Sequence, residues 1–198
     1  MDPARLDAQA DRLDPRALDH IGNNAAVAAH TGADIAVHRL DRERLTNPEP
    51  LFAPFDIPPS VPAVELAEGG LIRFGELRLR VLHTPGHTEG SVCLLAEDEG
   101  LLYSGDTRFA GGWGRVDLPG GDPVAMAGSI SRLIGLEDRI GVFPGHGQAT
   151  TIARERAWME LVRNGGRLFA RPRWPVARQP NAGGTARQRV PQRSIGRR

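Results

Sequence analysis

The sequence predicts an α/β domain, and three observations carry that prediction. Apolar, β-type runs recur between residues 71 and 143: LIRF (71–74), LRLRVL (77–82), SVCLLA (91–96), LLYS (101–104) and IGVF (140–143), each set off by Gly or by acidic turns. A helical pattern over 124–136, with Met126, Ile130, Leu133 and Ile134 on one side, interrupts them before the last run. The chain has 198 residues, 40% of them hydrophobic, enough for one domain with a sizeable core.

Element by element, residues 1–18 are polar, with weak helical spacing and no strand character. Ile21 to His30 is Ala-rich and predicts a helix that stops at the Thr31-Gly32 turn. DIAVH (34–38) predicts a short buried strand, and Leu40 to Leu45 one further helical turn. The six prolines between Asn47 and Pro62 forbid helix or central strand, and so long a connection suits a lid over a site. Alternation in LRLRVL predicts a sheet with one wet face. Asp122 ahead of Pro123 has the form of an N-cap followed by proline in the first helical turn. Thr150 to Val162 predicts the last helix.

Composition excludes several classes of function. All 25 basic residues are Arg and none is Lys. The net charge is +1, but it is unevenly spread: the 24 acids and 16 of the Arg precede residue 165, whereas the remainder carries nine Arg and no acid. A near-neutral total argues against a wholly basic nucleic-acid binder. Residues 165–198, rich in Arg and Pro and poor in aliphatics, have the composition of a disordered tail. A solvated end is favoured over a nucleic-acid-binding arm for that tail, so no nucleic-acid partner is expected. No apolar run approaches the roughly 20 residues of a membrane helix, and no apolar leader core follows Met1. No membrane partner and a cytoplasmic location are therefore expected. The single cysteine, Cys93, excludes an internal disulfide and any multi-cysteine zinc finger.

Three loops each set a potential metal ligand beside glycine at the end of a predicted strand. They are Thr84-Pro85-Gly86-His87-Thr88, Ser104-Gly105-Asp106-Thr107 and Pro144-Gly145-His146-Gly147, and Asp19-His20 ahead of the Ala-rich helix is a fourth candidate. Glycine permits tight turns, so ligands from separate strands can converge on one rim. Mixed imidazole and carboxylate donors suit zinc, with iron or manganese as alternatives. His30, His38 and His83 lack that context and read as helix-end, strand and core residues.

TPGHTEGS (84–91), LLYSGDTRF (101–109), GRVDLPGGD (114–122) and FPGHGQATTI (143–152), with DHIGNN (19–24), resemble the metallo-β-lactamase superfamily, specifically its glyoxalase II-like branch. The resemblance implies an αββα sandwich with a metal cleft at one sheet edge, incomplete here on the N-terminal side. It implies a domain over 19–164, preceded by an atypical segment over 1–18 and followed by the 165–198 tail. Asp106 would bridge two metals, with His87 on the first and Asp19, His20 and His146 on the second. Asp19 would also orient water. The implied reaction is metal-dependent hydrolysis of a small-molecule thioester or ester, with Arg115 and Asp117 of the GRVDLPGGD loop as candidates for the substrate side. Glyoxalase II proper carries a C-terminal helical domain for glutathione, where this chain passes into its Arg/Pro tail. A persulfide dioxygenase-like iron protein and a non-catalytic binding module with a basic tail are the alternatives.

The chain departs from the family's His-x-His-x-Asp-His motif, with Pro15 and Ala17 where the pattern has histidine. The first metal would then keep only His87 and Asp106, while the second keeps four ligands. One metal at best, and little hydrolase activity, are expected. Two origins fit the text. Leu13 to Leu18 can be encoded so that a one-base shift spells Thr-His-Ala-His, which would make residues 1–18 an out-of-frame reading, or the chain is a degenerate paralogue.

Overall fold

The computed structural model describes residues 21–48 and 57–165. Their elements run in chain order as α1 (Asn24–Thr31), β1 (Ala36–His38), a 3-10 turn (Arg39–Asp41), α2 (Arg42–Thr46), β2 (Val64–Leu66), β3 (Leu71–Phe74), β4 (Leu77–His83), β5 (Val92–Ala96), β6 (Leu101–Gly105), α3 (Pro123–Leu133), β7 (Gly141–Pro144), β8 (Thr150–Thr151) and α4 (Ile152–Arg163). The expected 1–18 segment, half of the proposed lid (49–56) and the 165–198 tail fall outside the described residues, apart from Gly165.

Two short turns and the 84–91 loop make β3, β4, β5 and β6 an antiparallel meander, with Phe74 opposite Leu77 and Ala96 opposite Leu101. The next strand, β7, lies parallel to β6, with Leu102 beside Val142. Parallel neighbours require a crossover, and α3 supplies it. A two-residue β8 closes the sheet by pairing Thr151 with Gly141, giving the order β3-β4-β5-β6-β7-β8. Beside this sheet, β1 and β2 pair in parallel, His38 opposite Leu66.

Each face of the large sheet is covered. Leu82, Cys93, Leu95, Leu102 and Val142 pack against Met126, Ile130 and Leu133 of α3 and Ile152 and Met159 of α4. On the other face Leu79, Val81, Val92, Leu94 and Tyr103 meet Leu66 of β2. Ile21, Ile35, Val37 and Leu45 form a third cluster around the small sheet. Burying one such aliphatic side chain contributes about 1.5–3 kcal/mol. Among the described residues no helix is long and apolar enough to cross a membrane.

The α/β expectation holds, with local corrections. The wet face expected for LRLRVL extends only over Arg78 and Arg80, next to the edge strand, because Leu82 on the same face lies under the helices. The last helix starts at Ile152, not Thr150. Thr151 is extended, and its hydroxyl accepts a hydrogen bond from the Arg154 amide at 3.2 Å, an N-cap that ends β8 and opens α4. Strand β2 escaped the sequence because Val64 and Glu65 stay exposed and only pairing with β1 makes them a strand. Asp122 caps α3 as expected, accepting from the amides of Val124 at 2.7 Å and Ala125 at 3.0 Å. That helix ends at Leu133, short of the predicted Leu136.

His83 is half-buried at the end of β4, not in the core, with its ring stacked on His38 at 4.2 Å between centroids. This stack joins the small sheet to the large one. Burial of His38, reinforced by the charge His83 would carry, lowers the His38 pKa.

A second polar junction ties α4 to the segment after β6. Arg108 is fully buried, and its Nη2 donates to the Thr151 carbonyl at 3.0 Å. Burial pulls its pKa down to about 10 against the opposing pull of Glu155. Glu155 accepts from the Thr150 hydroxyl at 2.6 Å, the Gly111 amide at 2.7 Å and the Trp158 indole at 2.5 Å. Burial pushes the Glu155 pKa up, but these donors and Arg108 outweigh it and hold the carboxyl below its ordinary range.

Two outcomes follow from these junctions. Glu155→Ala strands three donors and a buried cation, so urea denaturation should show a loss of about 3 kcal/mol; a change under about 0.5 kcal/mol would refute the junction. For His38 the folded state holds a proton less tightly than the unfolded chain. The stability this contributes is present above the ordinary histidine value of 6.5 and is lost as pH falls through it. The fall in Tm between pH 7.5 and 5.5 should therefore be shallower in His38→Gln than in the parent chain, and equal slopes would count against the assignment.

Candidate metal centre

The loop after β4 is closed on itself by the Thr84 amide donating to the Ser91 carbonyl at 2.8 Å and the Gly86 amide to Thr88 at 2.9 Å. Helix α3 holds it from below, through the Ser129 hydroxyl on the Pro85 carbonyl at 2.7 Å and the Asp122 amide on the Gly86 carbonyl at 2.8 Å. His87 projects from this loop and is 3% exposed. Its Nδ1 lies 2.7 Å from the Arg115 carbonyl. A carbonyl only accepts, so Nδ1 carries the proton, and in the neutral ring Nε2 is then the nitrogen with the lone pair, the form a metal ligand takes.

Asp106 follows Gly105 at the end of β6 and is also buried. The chain folds back over it, with the Gly114 amide donating to the Asp106 carbonyl at 2.9 Å. Only glycine fits there, since a Cβ at Gly114 would stand 2.0 Å from that oxygen. A hydroxyl pair 3.0 Å apart, Thr84 Oγ1 and Thr107 Oγ1, ties the Asp106 loop to the His87 loop. On the other side the Gly145 amide donates to the Gly105 carbonyl at 3.0 Å, which brings His146 from the end of β7. His146 is partly exposed and lies edge-on to Phe109.

The three expected ligands from the strand ends therefore meet at one atom. Asp106 Oδ2 is 3.7 Å from His87 Nε2 and 3.6 Å from His146 Nε2. These spacings are too long for direct hydrogen bonds. They are close to the roughly 3.3–3.6 Å that separates two ligands of a tetrahedral zinc ion with bonds of about 2.0–2.2 Å. Donor type and pairwise spacing thus fit a metal on each side of Asp106. Among the described residues no group of three or more His, Cys, Asp or Glu is placed to hold a metal ion. Asp19 and His20, and the Pro15 and Ala17 positions, lie outside the described residues.

The substrate-loop candidates Arg115 and Asp117 are exposed and form a two-pronged ion pair, Nε to Oδ1 at 2.9 Å and Nη2 to Oδ2 at 3.1 Å. Arg115 reaches the site through its backbone carbonyl on His87, a contact no sequence motif announces. Cys93 lies beneath the Thr84 hydroxyl, fully buried, and burial pushes its thiol up to about 11. It is a neutral packing residue, not a ligand.

A protein of Aquifex aeolicus is 45% identical over 103 residues, 52% of this chain and 49% of its own length. Hydroxyacylglutathione hydrolase of Maricaulis maris is 35% identical over 137 residues, covering 69% of this chain and 47% of that enzyme. The chain thus spans about half the length of these two relatives. The crystal structure of TTHA1623 in a di-iron-bound form superimposes with a TM-score of 0.62 at 35% identity, covering 69% of each chain. The family profile of the metallo-beta-lactamase superfamily matches residues 18–146, well over half of the sequence, and the chain belongs to that superfamily.

Proposed function

We propose that this chain carries the metal site of a glyoxalase II-like hydrolase, built to cleave a small-molecule thioester or ester in the cytoplasm, and that it holds that site in a one-metal form. The observation that carries the reading is the sharing of Asp106 Oδ2 by His87 Nε2 and His146 Nε2. The similarity to hydroxyacylglutathione hydrolase supports the reaction class.

In this reading residues 19–164 form the hydrolase unit. Asp19, His20, Asp106 and His146 hold one ion, zinc or iron, and Asp19 orients the attacking water. When bound, the metal supplies Lewis acidity, polarising the carbonyl and bringing the pKa of water toward neutrality. The Arg115 carbonyl fixes the tautomer of His87, so that its Nε2 faces Asp106. Asp117 holds the exposed Arg115 guanidinium, whose remaining N–H groups can receive a substrate carboxylate. With Pro15 and Ala17 in place of two histidines, His87 and Asp106 are too few to retain a second ion.

The test measures metal content by elemental analysis beside turnover of an acyl-glutathione thioester. The chain should hold no more than one ion, lose it on His146→Ala, and turn over thioester weakly or not at all. The Pro15→His, Ala17→His double variant should bind two ions and gain about 10²-fold or more in rate. Two ions with full turnover in the unaltered chain would refute the one-metal form. Metal content indifferent to His146→Ala would refute the site.

A further inference from the structure

One buried charge near the metal centre has no part in the chemistry above. Asp41, at the end of the 3-10 turn, is 0% exposed. A carboxylate buried to this depth is costly unless it is hydrogen-bonded or paired, so its partners show what it is there to hold. One is the Thr88 hydroxyl, which donates to Asp41 Oδ2 at 2.5 Å. The other is Arg44, whose Nε donates to Oδ1 at 3.1 Å while its Nη2 reaches Glu89 Oε2 at 2.5 Å. The segment 39–46 therefore grips the two residues that directly follow His87.

The hydrogen count around Thr88 closes. Its hydroxyl proton goes to Asp41, and its oxygen sits 2.7 Å from Ser91 Oγ, which can donate to it. Ser91 Oγ in turn accepts from the Thr88 amide at 3.0 Å. Each group thus has one role, and the set has a single arrangement. Gly90 completes the fit, because a Cβ there would lie 2.6 Å from Asp41 Cγ, and the loop backbone rests directly on the carboxylate.

We propose that Asp41 is a positioning residue for His87: through Thr88 and Glu89 it locks the 84–91 loop, so that the ring stays on the Arg115 carbonyl with Nε2 toward Asp106. That this nitrogen would serve a metal rests on the metallohydrolase reading, in which His87 takes an ion only once Pro15→His and Ala17→His complete its ligand set; the lock itself does not. Asp41 fixes the backbone on one side of His87 and Arg115 fixes the ring on the other, so neither alone holds the donor.

NMR of the full chain separates the two questions. The His87 Nδ1 proton, bonded to Arg115 and shielded from solvent, should give a protected imidazole N–H signal. Asp41→Ala and Thr88→Val should each abolish it and speed amide exchange at Thr84, Gly86 and Thr88, leaving the β5 and β6 amides slow. Asp41→Asn, which keeps an oxygen for Thr88, should restore the signal. Should Asp41→Ala fail to fold, Thr88→Val and Asp41→Asn decide alone. In the Pro15→His, Ala17→His variant added cobalt should shift the His87 ring signals, and Thr88→Val in that background should raise the concentration needed by about tenfold or more. A persistent N–H signal and unchanged loop exchange in Thr88→Val would overturn the proposal. Ring signals indifferent to cobalt in every form, with the N–H signal still lost in Thr88→Val, would instead refute the metal reading and leave the lock standing.

Discussion

Asp106 Oδ2 stands between two imidazole nitrogens that reach it from the ends of different strands, His87 beyond β4 and His146 beyond β7. For one oxygen to face both, β6 must lie between β5 and β7, and its loop must fold back on itself. The parallel pairing of β6 with β7 meets the first condition, and it requires the α3 crossover. The amide of Gly114 on the Asp106 carbonyl meets the second. Much of the remaining structure can be understood as support for these two conditions. Helix α3 buries its apolar side on the sheet and holds the His87 loop by Ser129 and Asp122. Helix α4 steadies the segment after Asp106 through Glu155 and Arg108.

Those supports are polar and lie at the ends of the strands, whereas the apolar clusters lie across their middles. The division has a physical reason. Apolar burial holds the layers together without specifying direction. A ligand must be fixed to within about half an ångström, which hydrogen bonds with defined donors and acceptors can do. Asp41 on Thr88, Glu155 on Gly111 and the Arg115 carbonyl on His87 each fix one segment of the rim.

The parts legible in the sequence are those where local chemistry and tertiary role coincide. His87, Asp106 and His146 each stand beside glycine at the end of an apolar run, so strand, turn and the convergence of the three side chains could be read together. Asp122-Pro123 opened a helix because capping is a local interaction. Asp41 was not legible as anything beyond part of a helical turn, since its partner Thr88 is 47 positions away. Arg108 carries no mark that separates a fully buried arginine from a surface one. Strands β2 and β8 are too short to show a period and exist through their neighbours. The wet face expected of LRLRVL failed at Leu82 because alternation reports one strand and cannot report which helices cross it.

The central claim is that Asp106, set between His87 and His146, is the carboxylate on which metal binding depends, and it is tested most directly by calorimetric titration of zinc into the parent chain and Asp106→Asn. Loss of the shared carboxylate should weaken zinc binding by about 10²-fold or more, with the fold retained. Equal affinity and stoichiometry in the two proteins would contradict the account, because zinc would then be held by groups other than those that meet at Asp106.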